Sequence, residues 1–145
     1  ITVLGFSNGC WSAAHVSASV RQRWGTRLQG VAMLSCANDA FHEPWIAALD
    51  RSGNGESALA KVPVLVVHHR RDSCLLFADV EGQAKRHDFI TIEDNKQPRP
   101  NMAKRDCGNG SAHQFGGKEE KTYQSVVDWI RATQVMGTGL RGSLP

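Results

Sequence analysis

The sequence lacks the features of two large classes of protein. None of its apolar runs approaches the roughly 20 residues that a membrane-spanning helix needs, so we expect no membrane span. Its lysines and arginines form local pairs such as Arg70 and Arg71 but no basic stripe backed by aromatic residues, and the formal net charge is only +3. Nucleic acid is therefore not an expected partner.

The sequence also lacks a zinc-binding pattern, because none of the spacings between its four cysteines is C-x-x-C. Four cysteines fit two disulfides, one disulfide with two free thiols, or no disulfide. Cys10 and Cys36 lie in apolar sequence, which predicts buried thiols. Cys74 and Cys107 lie in loop-like sequence and are the better pair for a bridge. A Cys74–Cys107 bridge would favour a secreted or periplasmic location.

What is present indicates one packed domain. Hydrophobic residues make up 41% and charged residues 21% of the 145 residues, which suits a single core. Short apolar segments predict four strands, and the longer segments between and after them predict three helices. The strands are Ile1–Phe6, Gly30–Cys36, Val62–His68 and Phe89–Ile92, and the helices are Trp11–Trp24, Leu75–Arg86 and Lys118–Ala132.

Strands that alternate with helices predict an α/β fold, in which a parallel sheet of about four strands carries helices on both faces. Residues 1–136 are expected to form the domain and residues 137–145 a flexible tail. The connection 38–61 is expected to hold one short helix at 45–49 and no large cap, and 95–110 an irregular surface loop.

The sharpest motif is the pentapeptide Gly5-Phe6-Ser7-Asn8-Gly9, a G-x-S-x-G between a predicted strand and a predicted helix. Small residues two before and two after the serine let the strand and helix backbones crowd together on a sharp turn that exposes the hydroxyl. The alternative is an ordinary turn serine. The strand-turn-helix setting favours Ser7 as a nucleophile.

A serine nucleophile needs a histidine base and an acid that orients the base. Asp72 follows the third predicted strand, and His113 precedes the last helix. Asp79 and Asp106 are rival acids, of which Asp79 falls inside a predicted helix. The rival histidines are His68, His69 and His87; His68 and His69 are expected to be structural, with one of them packed near the site.

In chain order and setting, Ser7, Asp72 and His113 resemble the catalytic triad of the α/β-hydrolase superfamily, and the resemblance covers nearly the whole chain. The segments around Asp72 and His113 are more narrowly similar to bacterial esterase-like members. The resemblance implies that Ser7 is the nucleophile, Asp72 the orienting acid and His113 the general base. The backbone N–H of Asn8 would be one oxyanion donor.

The chain departs from this family because it begins one strand before the serine. The family's earlier strands, and the loop that supplies a second oxyanion donor, are not in the sequence; loss of one donor costs about 10²- to 10³-fold in rate. The strand Ile1–Phe6 would then be an exposed sheet edge, which we expect a second copy or a missing N-terminal segment to cover. A bridge between Cys74 and Cys107 would tie the acid loop to the histidine loop.

Two functions are consistent with these residues. The first is hydrolysis of small or accessible carboxylic esters through an acyl-enzyme, with no metal or organic cofactor; peptidase and thioesterase chemistry use the same triad. The second is a catalytically weak or inactive remnant of the family that acts as an assembly or interaction module.

Overall fold

The computed structural model describes residues 1–36, 59, 62–74, 77–84, 87–93, 107–109 and 111–139. The short helix predicted at 45–49 and most of the loop predicted at 95–110 lie outside these residues. Within them a helix follows the first, third and fourth strands, as the sequence predicts, while most of the connection between the second and third strands lies outside the described residues.

Four parallel strands form one sheet. They are β1 (Thr2–Phe6), β2 (Gly30–Leu34), β3 (Val64–His69) and β4 (Asp88–Ile92), and they pair in the order β1-β2-β3-β4. Because all four strands are parallel, their carboxyl ends meet at the same edge of the sheet. The segments that follow β1 and β3, which carry the predicted nucleophile and acid, therefore start at this edge.

Helices cover both faces of the sheet, which confirms the predicted α/β arrangement. The helices are α1 (Gly9–Trp24), α2 (Phe77–Ala84) and α3 (Glu119–Gly139). Side chains of α1 and α2 pack with Val31 and Met33 on one face, while those of α3 pack with Ala32 and Leu34 on the other. This alternation along β2 is what a strand buried on both faces requires.

The inner strand β3 begins with four apolar residues, ends in two histidines and is buried along its whole length. Burial of each valine or leucine side chain stabilises the fold by about 1.5–3 kcal/mol. On the α3 face, Gly30 lies beneath Trp129, because a Cβ at Gly30 would come within 2.8 Å of the indole ring. The Trp129 Nε1–H donates a 2.7 Å hydrogen bond to Asp88 Oδ2, which ties α3 to β4.

Helices α1 and α3 differ from the prediction in their boundaries, and α3 ends seven residues after the predicted end at Ala132. Helix α1 begins at Gly9, two residues before the predicted start. Helix α3 extends to Gly139, three residues into the segment 137–145 that the sequence predicts to be a tail. A long helix gains a hydrogen bond with each added residue and no new nucleation cost, which offsets the poor helix propensity of Gly137 and Gly139. The remainder of the predicted tail, 140–145, lies outside the described residues.

At one end of the sheet, β1 is an edge strand, as predicted. Leu4 is 54% exposed and Ile1 50% exposed, so apolar surface accompanies the open edge. None of the described helices is both long and apolar enough to cross a bilayer.

Candidate active site

Ser7 occupies a sharp turn between a strand and a helix. β1 ends at Phe6 and α1 begins at Gly9, so only two residues connect them. Ser7 has a φ of +52°, in the left-handed region that a residue with a side chain adopts only at a cost. Strain of this kind, of order 1–3 kcal/mol, is characteristic of functional sites.

The two glycines of the motif play different roles. A Cβ at Gly5 would lie 2.7 Å from both the Cβ of Ala13 and the Cα of Cys10, so the strand can approach α1 this closely only with a glycine there. A Cβ at Gly9 would meet nothing within 4 Å. The prediction that small residues allow close backbone packing is therefore confirmed at Gly5 and wrong at Gly9. At Gly9 the helix already leads the backbone away from the strand.

Backbone hydrogen bonds hold the turn against the neighbouring strand. The N–H of Ser7 donates to the carbonyl of Leu34 (2.9 Å), and the carbonyl of Ser7 accepts from the N–H of Cys10 (3.1 Å). Cys10 is also bridged to Cys36, with 5.5 Å between their Cα atoms. The prediction that both are free thiols is wrong, although both are buried. The turn places the start of α1 beside the end of β2, which brings the two cysteines together.

Asp72 lies just past the end of β3, and its carboxylate is fully buried. The chain turns back on itself after the strand, because the N–H of Asp72 donates to the carbonyl of His69 (3.0 Å). The Oδ1 atom of Asp72 accepts a hydrogen bond from the N–H of Cys74 (2.8 Å). The backbone thus orients one carboxylate oxygen and leaves the other for a different partner.

His113 lies in the 3₁₀ turn Ala112–Gln114, just before α3, and is only 3% exposed. Its Nε2 is 2.8 Å from the Oγ of Ser7, and its Nδ1 is 2.8 Å from the Oδ2 of Asp72. Three side chains from distant segments therefore form one connected row, in the order that the sequence predicts.

The hydrogen-bond partners of His113 indicate which tautomer of its neutral ring fits the site. The carboxylate of Asp72 can only accept, so the Nδ1 of His113 carries the hydrogen and donates it. The Nε2 of His113 then presents a lone pair to the hydroxyl of Ser7. This is the arrangement in which an imidazole can remove the proton of the serine.

The turn that carries His113 is fixed by backbone hydrogen bonds and by a buried aromatic side chain. The carbonyl of Ser111 accepts from the N–H groups of Gln114 (3.1 Å) and Gly116 (2.9 Å). Phe115, which has a φ of +57°, is buried in the core cluster beneath α3. The burial of Phe115 anchors the turn to the sheet.

The predicted bridge between Cys74 and Cys107 is present, with 5.1 Å between the Cα atoms. It joins the loop of Asp72 to the segment that leads to His113. The Cys74 sulfur, Asp72 and His113 have potential ligand atoms within 4.8 Å of one another. Metal ligation by cysteine needs a thiolate, and Cys74 is oxidised, so this cluster does not offer a metal-binding set.

Asn8 follows the serine and occupies the N-cap position of α1, with φ −60° and ψ −23° and no capping hydrogen bond from its side chain. No hydrogen bond from its backbone N–H is found among the described residues. Because Asn8 lies at the N-terminus of a 16-residue helix, the helix dipole favours a negative charge beside this N–H. These features suit the expected oxyanion donor.

Among the rival residues, Asp106 lies outside the described part of the chain, and the position of the Asp79 side chain is not described. Of the adjacent histidines, His68 has its ring beside the acid: its Nε2 is 3.6 Å from Asp72 Oδ2. Phe6 is a neighbour that the sequence does not predict, with its ring centroid 5.8 Å from that of His113. The position of Phe6 directly before Ser7 is the sequence feature that could have indicated this contact.

Comparison with known proteins gives no relative: the chain matches no protein-family model, no curated protein and no solved structure.

Proposed function

We propose that this chain is a serine hydrolase of the α/β-hydrolase type that cleaves carboxylic esters. The single observation that carries the proposal is the connected row of Ser7 Oγ, His113 and Asp72 Oδ2, with both hydrogen-bond distances at 2.8 Å. The strained turn at Ser7 and the parallel sheet beneath it support the same assignment. The four strands would correspond to the part of that fold from the nucleophile turn to the last helix.

The reaction would proceed by double displacement. Ser7 Oγ attacks the acyl carbon while His113 Nε2 accepts the hydroxyl proton, and the imidazolium formed is stabilised by the carboxylate of Asp72. His113 then donates this proton to the oxygen of the leaving alcohol. The alcohol departs, and the acyl group remains bound to Ser7. Water, activated by the same imidazole, then releases the acid.

The negative charge on the substrate oxygen develops beside the start of α1. The backbone N–H of Asn8 is the donor available there, and one such donor contributes about 10²- to 10³-fold in rate. Base catalysis by His113 contributes about 10²- to 10⁴-fold. These residues supply the chemistry without a metal or an organic cofactor.

Hydrolysis of a short p-nitrophenyl ester tests this function. We expect the purified chain to release p-nitrophenol above background and Ser7→Ala to reduce the rate to background. Ser12→Ala is the matched control, because Ser12 is an exposed serine of α1, five residues further on, and its loss should leave the rate unchanged. Equal rates from the wild-type chain and Ser7→Ala would exclude the esterase.

The open edge of β1 favours a second candidate function, that of an assembly or interaction module. No described strand pairs with the outer edge of β1, and its backbone groups and the exposed side chains of Ile1, Leu4 and Phe6 invite pairing with another strand. A second copy or a further N-terminal segment would cover this edge. Light scattering that gives the mass of one 15.9 kDa protomer at high concentration would exclude pairing between copies.

The two disulfides bear on location. Such bridges form and persist in oxidising compartments, which favours a secreted or periplasmic protein.

A further inference from the structure

A second imidazole faces the carboxylate that orients the proposed base. His68 belongs to β3 and is fully buried, and its Nε2 lies 3.6 Å from Asp72 Oδ2. This is the same oxygen that accepts from His113 Nδ1 at 2.8 Å. We propose that His68 is a positioning residue of the triad, which presents its Nε2–H to Asp72 Oδ2 and anchors the carboxylate in line with His113.

The burial of Asp72 gives a further donor beside its carboxylate an electrostatic role. The side chain of Asp72 has no exposure to solvent, so its charge must be stabilised by nearby dipoles. A carboxylate oxygen at 3.6 Å favours the tautomer of His68 that carries its hydrogen on Nε2, because the other tautomer would point a lone pair at a negative charge. At 3.6 Å this contact is longer than a hydrogen bond. The N–H of His68 would therefore stabilise the buried charge of Asp72 as an oriented dipole.

The location of His68 explains why it can serve as an anchor. Asp72 lies in the loop after β3, and His113 lies in a 3₁₀ turn, so neither belongs to a strand or an α-helix. His68 lies inside the hydrogen-bonded ladder of β3, opposite Thr91 of β4. Its ring is thus fixed to the sheet, and the carboxylate is held between one imidazole on the sheet and one on the turn.

The neighbouring His69 provides a natural comparison. It is also buried, at 1% exposure, and it precedes the same loop. Its Nδ1 accepts a 3.1 Å hydrogen bond from the N–H of Arg71, so it supports the turn of the backbone. Successive residues of a strand point to opposite faces: the ring of His68 faces the carboxylate of Asp72, whereas the ring of His69 accepts from the backbone of Arg71.

The inference rests on the proposed function, in which His113 becomes positively charged during acyl transfer. A carboxylate that has lost one anchor would stabilise that charge less well in the transition state, with little effect on substrate binding. The rate constant kcat should therefore fall while KM stays nearly constant.

Three variants separate positioning from a purely structural role. His68→Met removes the donor at similar side-chain length, and we expect kcat to fall about tenfold with KM changed less than about twofold. His68→Gln keeps an N–H donor and should retain kcat within about threefold. His15→Met is the control for loss of a histidine away from the site, because His15 is an exposed residue of α1, and it should change kcat less than about twofold. Equal losses of kcat in His68→Met and His68→Gln would overturn the proposal, as would full activity of His68→Met.

A measurement on the unaltered chain needs neither turnover nor a folded variant. Nitrogen-15 NMR should show His68 with its hydrogen on Nε2 in the folded protein; a hydrogen on Nδ1 alone would overturn the proposal. If NMR gives the expected tautomer while no ester is hydrolysed, the esterase fails and the contact stands. If esters are hydrolysed and His68→Met is fully active, the esterase stands and positioning fails.

Discussion

Replacing both cysteines of the Cys74–Cys107 bridge with serine should cost the fold about 3.7 kcal/mol. The bridge spans 33 residues, and this figure is the loop-closure entropy that such a cross-link removes from the unfolded chain at 25 °C. The Cys10–Cys36 bridge spans 26 residues, for which the same relation gives about 3.5 kcal/mol. Either loss is a large part of the roughly 5–15 kcal/mol that holds an ordinary domain together.

Urea unfolding without reductant, monitored by circular dichroism, measures the loss in the free energy of unfolding for each pair of substitutions. We expect the Cys74→Ser/Cys107→Ser and Cys10→Ser/Cys36→Ser proteins to lose stability to within about 0.5 kcal/mol of each other, because the dependence on loop length is logarithmic. The chain with all four cysteines replaced should be largely unfolded. A loss below about 1 kcal/mol for either pair would refute the argument from chain entropy.

Three further outcomes follow from the turn at Ser7 and from the start of α3. Ser7→Gly should be more stable than Ser7→Ala by about 1 kcal/mol in urea unfolding, because glycine adopts the φ of +52° without strain, and both should be inactive. Gly5→Ala should destabilise the fold by about 1–3 kcal/mol and lower the rate of ester hydrolysis, since its Cβ would lie 2.7 Å from Cys10 Cα; equal stability would contradict the crowded turn. Backbone N–H groups of Glu119 itself and of Gly117 lower the pKa of the Glu119 carboxyl from its ordinary value of 4.5. Because this pKa is depressed in the folded state, the wild-type chain should be more stable than Glu119→Gln above pH 4.5. The difference in stability should shrink as the pH falls below 4.5, and urea unfolding across that range measures it.

Much of the architecture could be predicted because it depends on local pattern. The apolar run from Val64 to Val67 specifies a strand buried on both faces, and the alternation of strands with helices leaves few arrangements other than a parallel sheet. The row of Ser7, Asp72 and His113 followed from chemistry and chain order, since a serine nucleophile needs both partners. The bridge between Cys74 and Cys107 was predicted from their loop-like sequence and their places beside Asp72 and His113.

The features that the sequence did not reveal depend on contacts between distant segments. Apolar neighbours indicate that Cys10 and Cys36 are buried, but only the connection through α1 shows that their Cα atoms lie 5.5 Å apart. The contact of His68 with Asp72 depends on the chain turning back after β3. The open space beside Gly9 likewise depends on the direction in which α1 leaves the turn.

Labelling with a fluorophosphonate, followed by peptide mass analysis, tests the central claim most directly. The reagent requires a serine hydroxyl that an adjacent imidazole activates, which is what the geometry of Ser7 and His113 predicts. We expect one label per folded chain, on Ser7, with labelling strongly slowed in His113→Gln and absent after unfolding. A folded chain that takes no label at Ser7, or that takes it equally well without His113, would contradict the account.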